Sequence, residues 1–205
     1  MHPETLSPQT GRVLATLSQQ ASVKPFYLAG GTALALQLGH RESVDLDFFQ
    51  AKDFSLGEMK QSLSQLGKYT LTNEESGTID GVLDEVKVTF LRYEYPLLFP
   101  LIDFQGISVA DMRDIACMKL DTVSARGSRK DFVDIFFLLK QMPLVEVFEL
   151  FEKKYQGIQY NRLHLLKSLT YFVDAEEDPM PKMLMDFSWE ELKETLVRET
   201  TLLLQ

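Results

Sequence analysis

Gly30-Gly31-Thr32 and Asp45-Leu46-Asp47 are the residues of this chain whose types and spacing suit chemistry. A glycine pair between an apolar run and a helix lets backbone approach a phosphate, and the N–H groups of the helix start can face a triphosphate. Asp45 and Asp47 are spaced i, i+2, so on a strand their carboxylates emerge on one side, about 7 Å apart. Their repulsion is relieved by a divalent cation. Mg²⁺ (or Mn²⁺) takes one or two protein carboxylates together with phosphate oxygens, which suits this pair. Alone, Gly-Gly-Thr marks a tight turn and Asp-x-Asp a solvated edge strand. One short helix apart, they are the minimal equipment for metal-dependent transfer of a nucleotide or phosphoryl group.

A second constellation lies further along: Lys119, Arg126, Arg129, Lys130, Asp131 and Asp134. Asp131 and Asp134 share a helix face at i, i+3. The basic residues around Gly127 are enough to hold a phosphate tail or an RNA backbone, or they form surface ion pairs at a helix–helix turn. His40 and Arg41 precede the aspartate strand, either within reach of a phosphate or exposed at a helix end. His2 and His164 have no ligand-like neighbours. Cys117, the only cysteine, sits in the apolar run Ile115-Ala116-Cys117-Met118, which reads as core.

The elements that must position these residues are legible. Ser7-Pro8 opens a helix through about Gln20. Ser55/Glu58, Ser108/Asp111 and Ser188/Glu191 have capping-box spacing, predicting helices near 56–66, 109–124 and 189–203. Phe26 to Ala29 predicts a buried strand running into the glycine turn, and Thr32 to Leu38 a helix closed by Gly39. From Val44 to Phe49 the pattern alternates, with Val44, Leu46 and Phe48 facing one way and Asp45, Asp47 and Phe49 the other. Tyr69 to Glu75 and Gly77 to Asp84 suggest a hairpin around Ser76-Gly77. Glu85 to Phe90 alternates again, its valines and Phe90 inward and Glu85, Lys87 and Thr89 outward. From Ser108 onward nearly everything reads as helix, including 130–139, 144–155 and 161–172, with 174–181 a surface loop. The expected layout is α+β: an α/β core over 1–105 and a helical bundle over 106–205, with the site in a cleft between them.

The chain has 205 residues and a net charge of −9, from 30 acidic against 21 basic residues. That charge argues against a protein that coats nucleic acid by counterion release, though not against an enzyme touching RNA briefly. No apolar run approaches the roughly 18 residues needed to span a bilayer, and the N-terminus lacks a signal-peptide pattern. A single cysteine fits a reducing cytosol, so a cytoplasmic protein with no membrane partner is expected.

The runs Phe26-Tyr27-Leu28-Ala29-Gly30-Gly31-Thr32-Ala33-Leu34-Ala35-Leu36 and His40-Arg41-Glu42-Ser43-Val44-Asp45-Leu46-Asp47-Phe48-Phe49 closely resemble the AbiEii/MenT-type nucleotidyltransferase toxins. Asp114-Ile115-Ala116-Cys117-Met118-Lys119-Leu120 and Arg126-Gly127-Ser128-Arg129-Lys130-Asp131-Phe132-Val133-Asp134 resemble that family's later motifs, in order. The resemblance implies a polymerase-beta-like nucleotidyltransferase fold and transfer of an NMP from a Mg²⁺-bound NTP, in some members to tRNA acceptor ends. It also implies the toxin half of a toxin–antitoxin or phage-defence pair, with a cognate antitoxin as partner. Carried onto this chain, Asp45 and Asp47 become metal ligands, and Gly30, Gly31 and Thr32 the triphosphate turn. Lys119 neutralises phosphate charge, and Asp131, or else Asp134, is the later functional acid; among the basic residues around Gly127, Arg126 and Lys130 are the nucleotide-binding candidates.

One departure stands out. Many nucleotidyltransferases carry a third carboxylate on a later strand, where it takes the proton of the attacking hydroxyl. Here the outward face of that strand reads Glu85, Lys87, Thr89. The alternatives left open are a catalytically reduced nucleotide-binding regulatory module and nucleotidylation of a protein hydroxyl.

Overall fold

The computed structural model describes residues 1–204 and divides into two compact units, Met1–Asp111 and a second beginning at Met112. The first is built on one mixed sheet. Its strands are β1 (Tyr27–Ala29), β2 (Leu46–Gln50), β3 (Tyr69–Glu75), β4 (Thr78–Leu83), β5 (Val86–Arg92), β6 (Ile102–Phe104) and β7 (Ile107–Val109), in the order β3-β4-β5-β2-β1-β7-β6. β2–β5 and β1–β7 are parallel; the other neighbours are antiparallel. Helices α1 (Pro8–Ser18), α2 (Gly30–Leu38) and α3 (Leu56–Ser64) complete the unit.

Alternation in β2 and β5 gives the sheet two unlike faces. Leu46, Phe48, Val88 and Phe90 are wholly buried. Phe48 and Phe90 are register partners whose rings stack at 4.9 Å and 8°, and Phe26 meets Phe90 edge-on at 5.1 Å. Such ring pairs add about 0.5–1.5 kcal/mol each beyond area burial. The opposite face carries Asp47 and Thr89. Val44 does not join the buried row: β2 begins at Leu46, and Val44 lies 54% exposed before it.

The helix expected near 109–124 is present, but it does not start at Ser108. Ser108 is the central residue of β7, paired with Asp103 and Tyr27, and the next helix starts at Met112. Serine three residues before an acid is also what a strand running into an acidic helix start looks like. The short β6–β7 hairpin turns through Gln105 and Gly106, both at positive φ. Ser55 and Ser188 cap the other two helices as predicted, Ser55 accepting from the Glu58 N–H at 3.2 Å and Ser188 from the Glu191 N–H at 3.3 Å.

The second unit is helical: α4 (Met112–Ala125), α5 (Arg129–Leu139), α6 (Leu144–Lys154), α7 (Arg162–Ser168), α8 (Val173–Glu177) and α9 (Trp189–Leu202). Phe132, Phe136, Phe148 and Leu120 fill its core. The segment read as a loop over 174–181 begins instead with α8. Arg129 ties that helix down, donating to the Ala175 and Glu176 carbonyls at 2.7 Å each and lying 4.9 Å from the Trp189 ring. Among the described residues no helix is long and apolar enough to cross a membrane.

Candidate functional site

In the first unit the site is set at the β1–α2 junction. Gly30 is the first residue of α2 with φ +67°, a conformation that penalises a side chain. Space is the second constraint. A Cβ on Gly30 would fall 2.8 Å from Asp47 Oδ2, so the Asp47 carboxylate lies against the glycine backbone. Register explains the meeting, since Ala29 and Asp47 are partners across β1–β2. Gly31 leaves similar room for Arg41, whose Nη2 would be 2.5 Å from a Cβ there. His40 and Arg41 are both buried, which removes the reading of an exposed helix end. Arg41 Nη1 donates to the Glu42 carbonyl at 3.0 Å.

Thr32 is 1% exposed. Its hydroxyl donates to the Asp45 carbonyl and shares a 2.8 Å hydrogen bond with Ser43, so it holds the segment leading into β2. Asp45 itself lies just before β2, half-buried like Asp47. Glu85 is exposed in the β4–β5 turn at φ +70°, outside β5, and Lys87 is exposed on that strand. Thr89 occupies the β5 position in register with Asp47.

In the second unit, α4 and α5 bring Lys119, Asp131 and Asp134 together. Lys119 Nζ is 2.8 Å from Asp131 Oδ1 and 2.6 Å from Asp134 Oδ2, with both carboxylates fully buried. Ser128 donates to Asp131 Oδ2 at 2.5 Å, and Arg126 Nε approaches the same oxygen at 3.5 Å. Burial pushes the Asp131 carboxyl upward, but Lys119, Ser128 and Arg126 together outweigh it and hold the group below its ordinary range. Arg126 otherwise extends into solvent, Lys130 is exposed on the first turn of α5, and Arg129 is taken up by the α8 clamp. A fully buried ion pair, Lys154 to Asp114 at 2.8 Å, has no periodic signature by which sequence reading could find it. Burial raises the nearby Cys117 thiol to about 12, which leaves it inert, as its apolar context suggests.

The model of the AbiEii nucleotidyl transferase toxin family, Type IV TA (toxin–antitoxin) system, matches residues 12–99, a span that contains Gly30, Asp47 and Thr89. An uncharacterised protein of Aquifex aeolicus (strain VF5) is 38% identical over 180 residues, covering 85% of each chain. The chain belongs to the AbiEii family. It is therefore a nucleotidyltransferase. The fold agrees. JHP933 from Helicobacter pylori superposes with a TM-score of 0.56 at 20% identity, covering 96% of this chain and 92% of the other. The nucleotidyltransferase toxin MenT4 of Mycobacterium tuberculosis H37Rv superposes with a TM-score of 0.57 at 13% identity, covering 95% of this chain and 82% of that one.

In this α+β nucleotidyltransferase fold, backbone and carboxylate meet at the strand–glycine–helix junction. Among the described residues no group of three or more Asp, Glu, His or Cys side chains is gathered for a metal. Asp45 and Asp47 offer only two carboxylates. That donor set fits a hard cation completing its shell with water and substrate phosphate, and not a closed structural metal site.

Proposed function

We propose that this AbiEii-family chain transfers an NMP from an NTP to an RNA hydroxyl, with tRNA 3′ ends as the acceptor class, and acts as the toxin of a toxin–antitoxin pair in the cytoplasm. The observation that carries this reading is the Asp47 carboxylate packed on Gly30 at the start of α2. There a negatively charged triphosphate would meet helix N–H groups beside the residues best suited to hold its cation. Asp45 and Asp47 would hold Mg²⁺ or Mn²⁺, which when bound supplies charge neutralisation to the substrate phosphates.

The chain's own residues do the rest by positioning, the main protein contribution to phosphoryl transfer. Gly30 and Gly31 keep the backbone open to the phosphates, and Thr32 fixes the Asp45 segment through its carbonyl. Arg126 and Lys130, exposed and basic, suit the phosphate tail or the acceptor backbone. Lys119 is oriented by Asp131 and Asp134. The acceptor oxygen attacks the α-phosphorus, the new P–O bond forms, and pyrophosphate leaves with the electrons of the bond that breaks.

The test is transfer of label from each of four α-³²P NTPs, with Mg²⁺, onto total tRNA and onto total protein, at low and at physiological salt. Label on RNA that falls steeply with salt is the expected result. Label on protein alone overturns the RNA assignment in favour of a protein hydroxyl, a reading to which the net charge of −9 lends weight.

A further inference from the structure

The β5 position that pairs with Asp47 holds Thr89 and not an acid, yet an acid stands one strand further on. Asp47, Thr89 and Asp80 form a single cross-strand row: Asp47 pairs with Thr89 across β2–β5, and Thr89 with Asp80 across β5–β4. Register partners point to the same face of a sheet, so this row lies opposite the stacked Phe48 and Phe90. Thr89 is 8% exposed. Its hydroxyl donates to Asp80 Oδ1 at 2.7 Å, and the Asn73 amide donates to Asp80 Oδ2 at 3.3 Å.

Two consequences follow from this bonding. With its proton directed to Asp80, the Thr89 oxygen is left with its lone pairs for the Asp47 side of the row. Strands lie about 4.8 Å apart, so Asp80 stands two spacings, about 10 Å, from Asp47 along the sheet. That is too far for both carboxylates to share one small cation easily, but a natural separation for action through the hydroxyl between them.

We propose that Thr89 and Asp80 do the work of the third carboxylate, an inference that rests on the nucleotidyl-transfer reading above. As the acceptor oxygen bonds to the α-phosphorus and the bond to pyrophosphate breaks, the acceptor's proton passes to Thr89 Oγ1. Thr89 passes its own proton to Asp80 Oδ1. The threonine hydroxyl is restored, Asp80 ends protonated, and pyrophosphate leaves with the bonding electrons. Asn73 holds the carboxylate in line. The general base is thus displaced by one strand and reaches the reaction through a hydroxyl.

The experiment compares the full-length wild type with Asp80→Asn, Thr89→Val, Thr89→Ser, Asp47→Asn and the double variant Asp80→Asn/Thr89→Asp. Single-turnover transfer, NTP affinity by calorimetry and thermal stability are measured for each. Asp80→Asn and Thr89→Val should lose about a hundredfold or more in transfer rate, the ordinary range for losing a general base, with NTP affinity nearly unchanged; Thr89→Val also gives up the bond to Asp80 and should melt somewhat lower. Thr89→Ser should keep most of the activity. Thr89→Asp in the Asp80→Asn background, which moves the carboxylate into the row beside Asp47, should regain at least about tenfold. Folded Asp80→Asn and Thr89→Val that transfer within about threefold of wild type overturn the inference. So does a loss that tracks melting temperature and is not restored by Thr89→Asp, because that is the pattern of a hydrogen bond serving only to tie β4 to β5. If Asp47→Asn is inactive while Asp80→Asn is not, the transfer reading survives and only this inference falls. If wild type and Asp47→Asn behave alike, the transfer reading fails and takes the relay with it.

Discussion

The Asp47 carboxylate occupies the space a side chain on Gly30 would need, with Oδ2 2.8 Å from the position of the missing Cβ. Gly30 also sits at φ +67°, where an added Cβ strains the backbone by roughly 1–2 kcal/mol. Gly30→Ala therefore strains the junction and pushes Asp47 out of place together. Displacing a reactive group by about 1 Å costs on the order of a hundredfold in rate, so transfer should fall by at least that much while melting drops only by several degrees. Circular dichroism melts beside a transfer assay check the two effects separately.

Thr32 is expected to act through its neighbours. Thr32→Val keeps the shape but removes the hydroxyl that binds the Asp45 carbonyl and Ser43, leaving a buried acceptor short of a donor. Urea unfolding should show a loss of about 1–3 kcal/mol. Substrate affinity should weaken as well, since the segment carrying Asp45 is no longer anchored to α2.

Much of the first site could be read from the chain because its signals are local. Phe26 to Gly31 is an apolar run ending in glycines, and the Asp-x-Asp stands at the head of an alternating segment, although only Asp47 lies within β2 and Asp45 precedes it. What escaped is contact between residues distant in sequence or in register. Asp80 and Thr89 meet only because β4 and β5 pair as a hairpin with Gly81 opposite Val88. A search for a third acid along β5 alone passes over an acid on β4. The burial of Arg41 follows from the missing side chain at Gly31, which no periodicity records. Strands β6 and β7 were missed because each is three residues long, too short to establish alternation, and Ser108 with Asp111 imitates a helix start.

The Lys119–Asp131–Asp134 cluster predicts a pH dependence of stability. Asp131 titrates below its ordinary 3.8 in the folded protein. A group with a depressed folded pKa contributes stability above its unfolded value, about 3.9, and loses that contribution as pH falls through the folded value. The stability gap between wild type and Asp131→Asn should therefore be constant above about pH 5 and narrow on the acid side below about pH 4. Denaturant melts of both proteins across that range measure it. A gap that widened toward acid would contradict the assignment.

Lys154 and Asp114, both fully buried, predict strong non-additivity. Lys154→Met alone takes a buried cation away from the Asp114 carboxylate and should cost about 3–5 kcal/mol. Replacing both partners, Lys154→Met with Asp114→Leu, removes the buried anion as well and should recover most of that loss. A double-mutant cycle in urea reads the coupling directly, and simple additivity would mean that the pair does not act as a unit.

The most direct test of the account is transfer of α-³²P label by purified wild type beside Asp47→Asn, with calorimetry showing that both are folded. The prediction is label transfer with release of pyrophosphate by wild type, and background signal from Asp47→Asn at an unchanged melting temperature. Equal transfer by the two proteins would contradict the assignment of the Gly30–Asp47 junction as the site of nucleotide transfer.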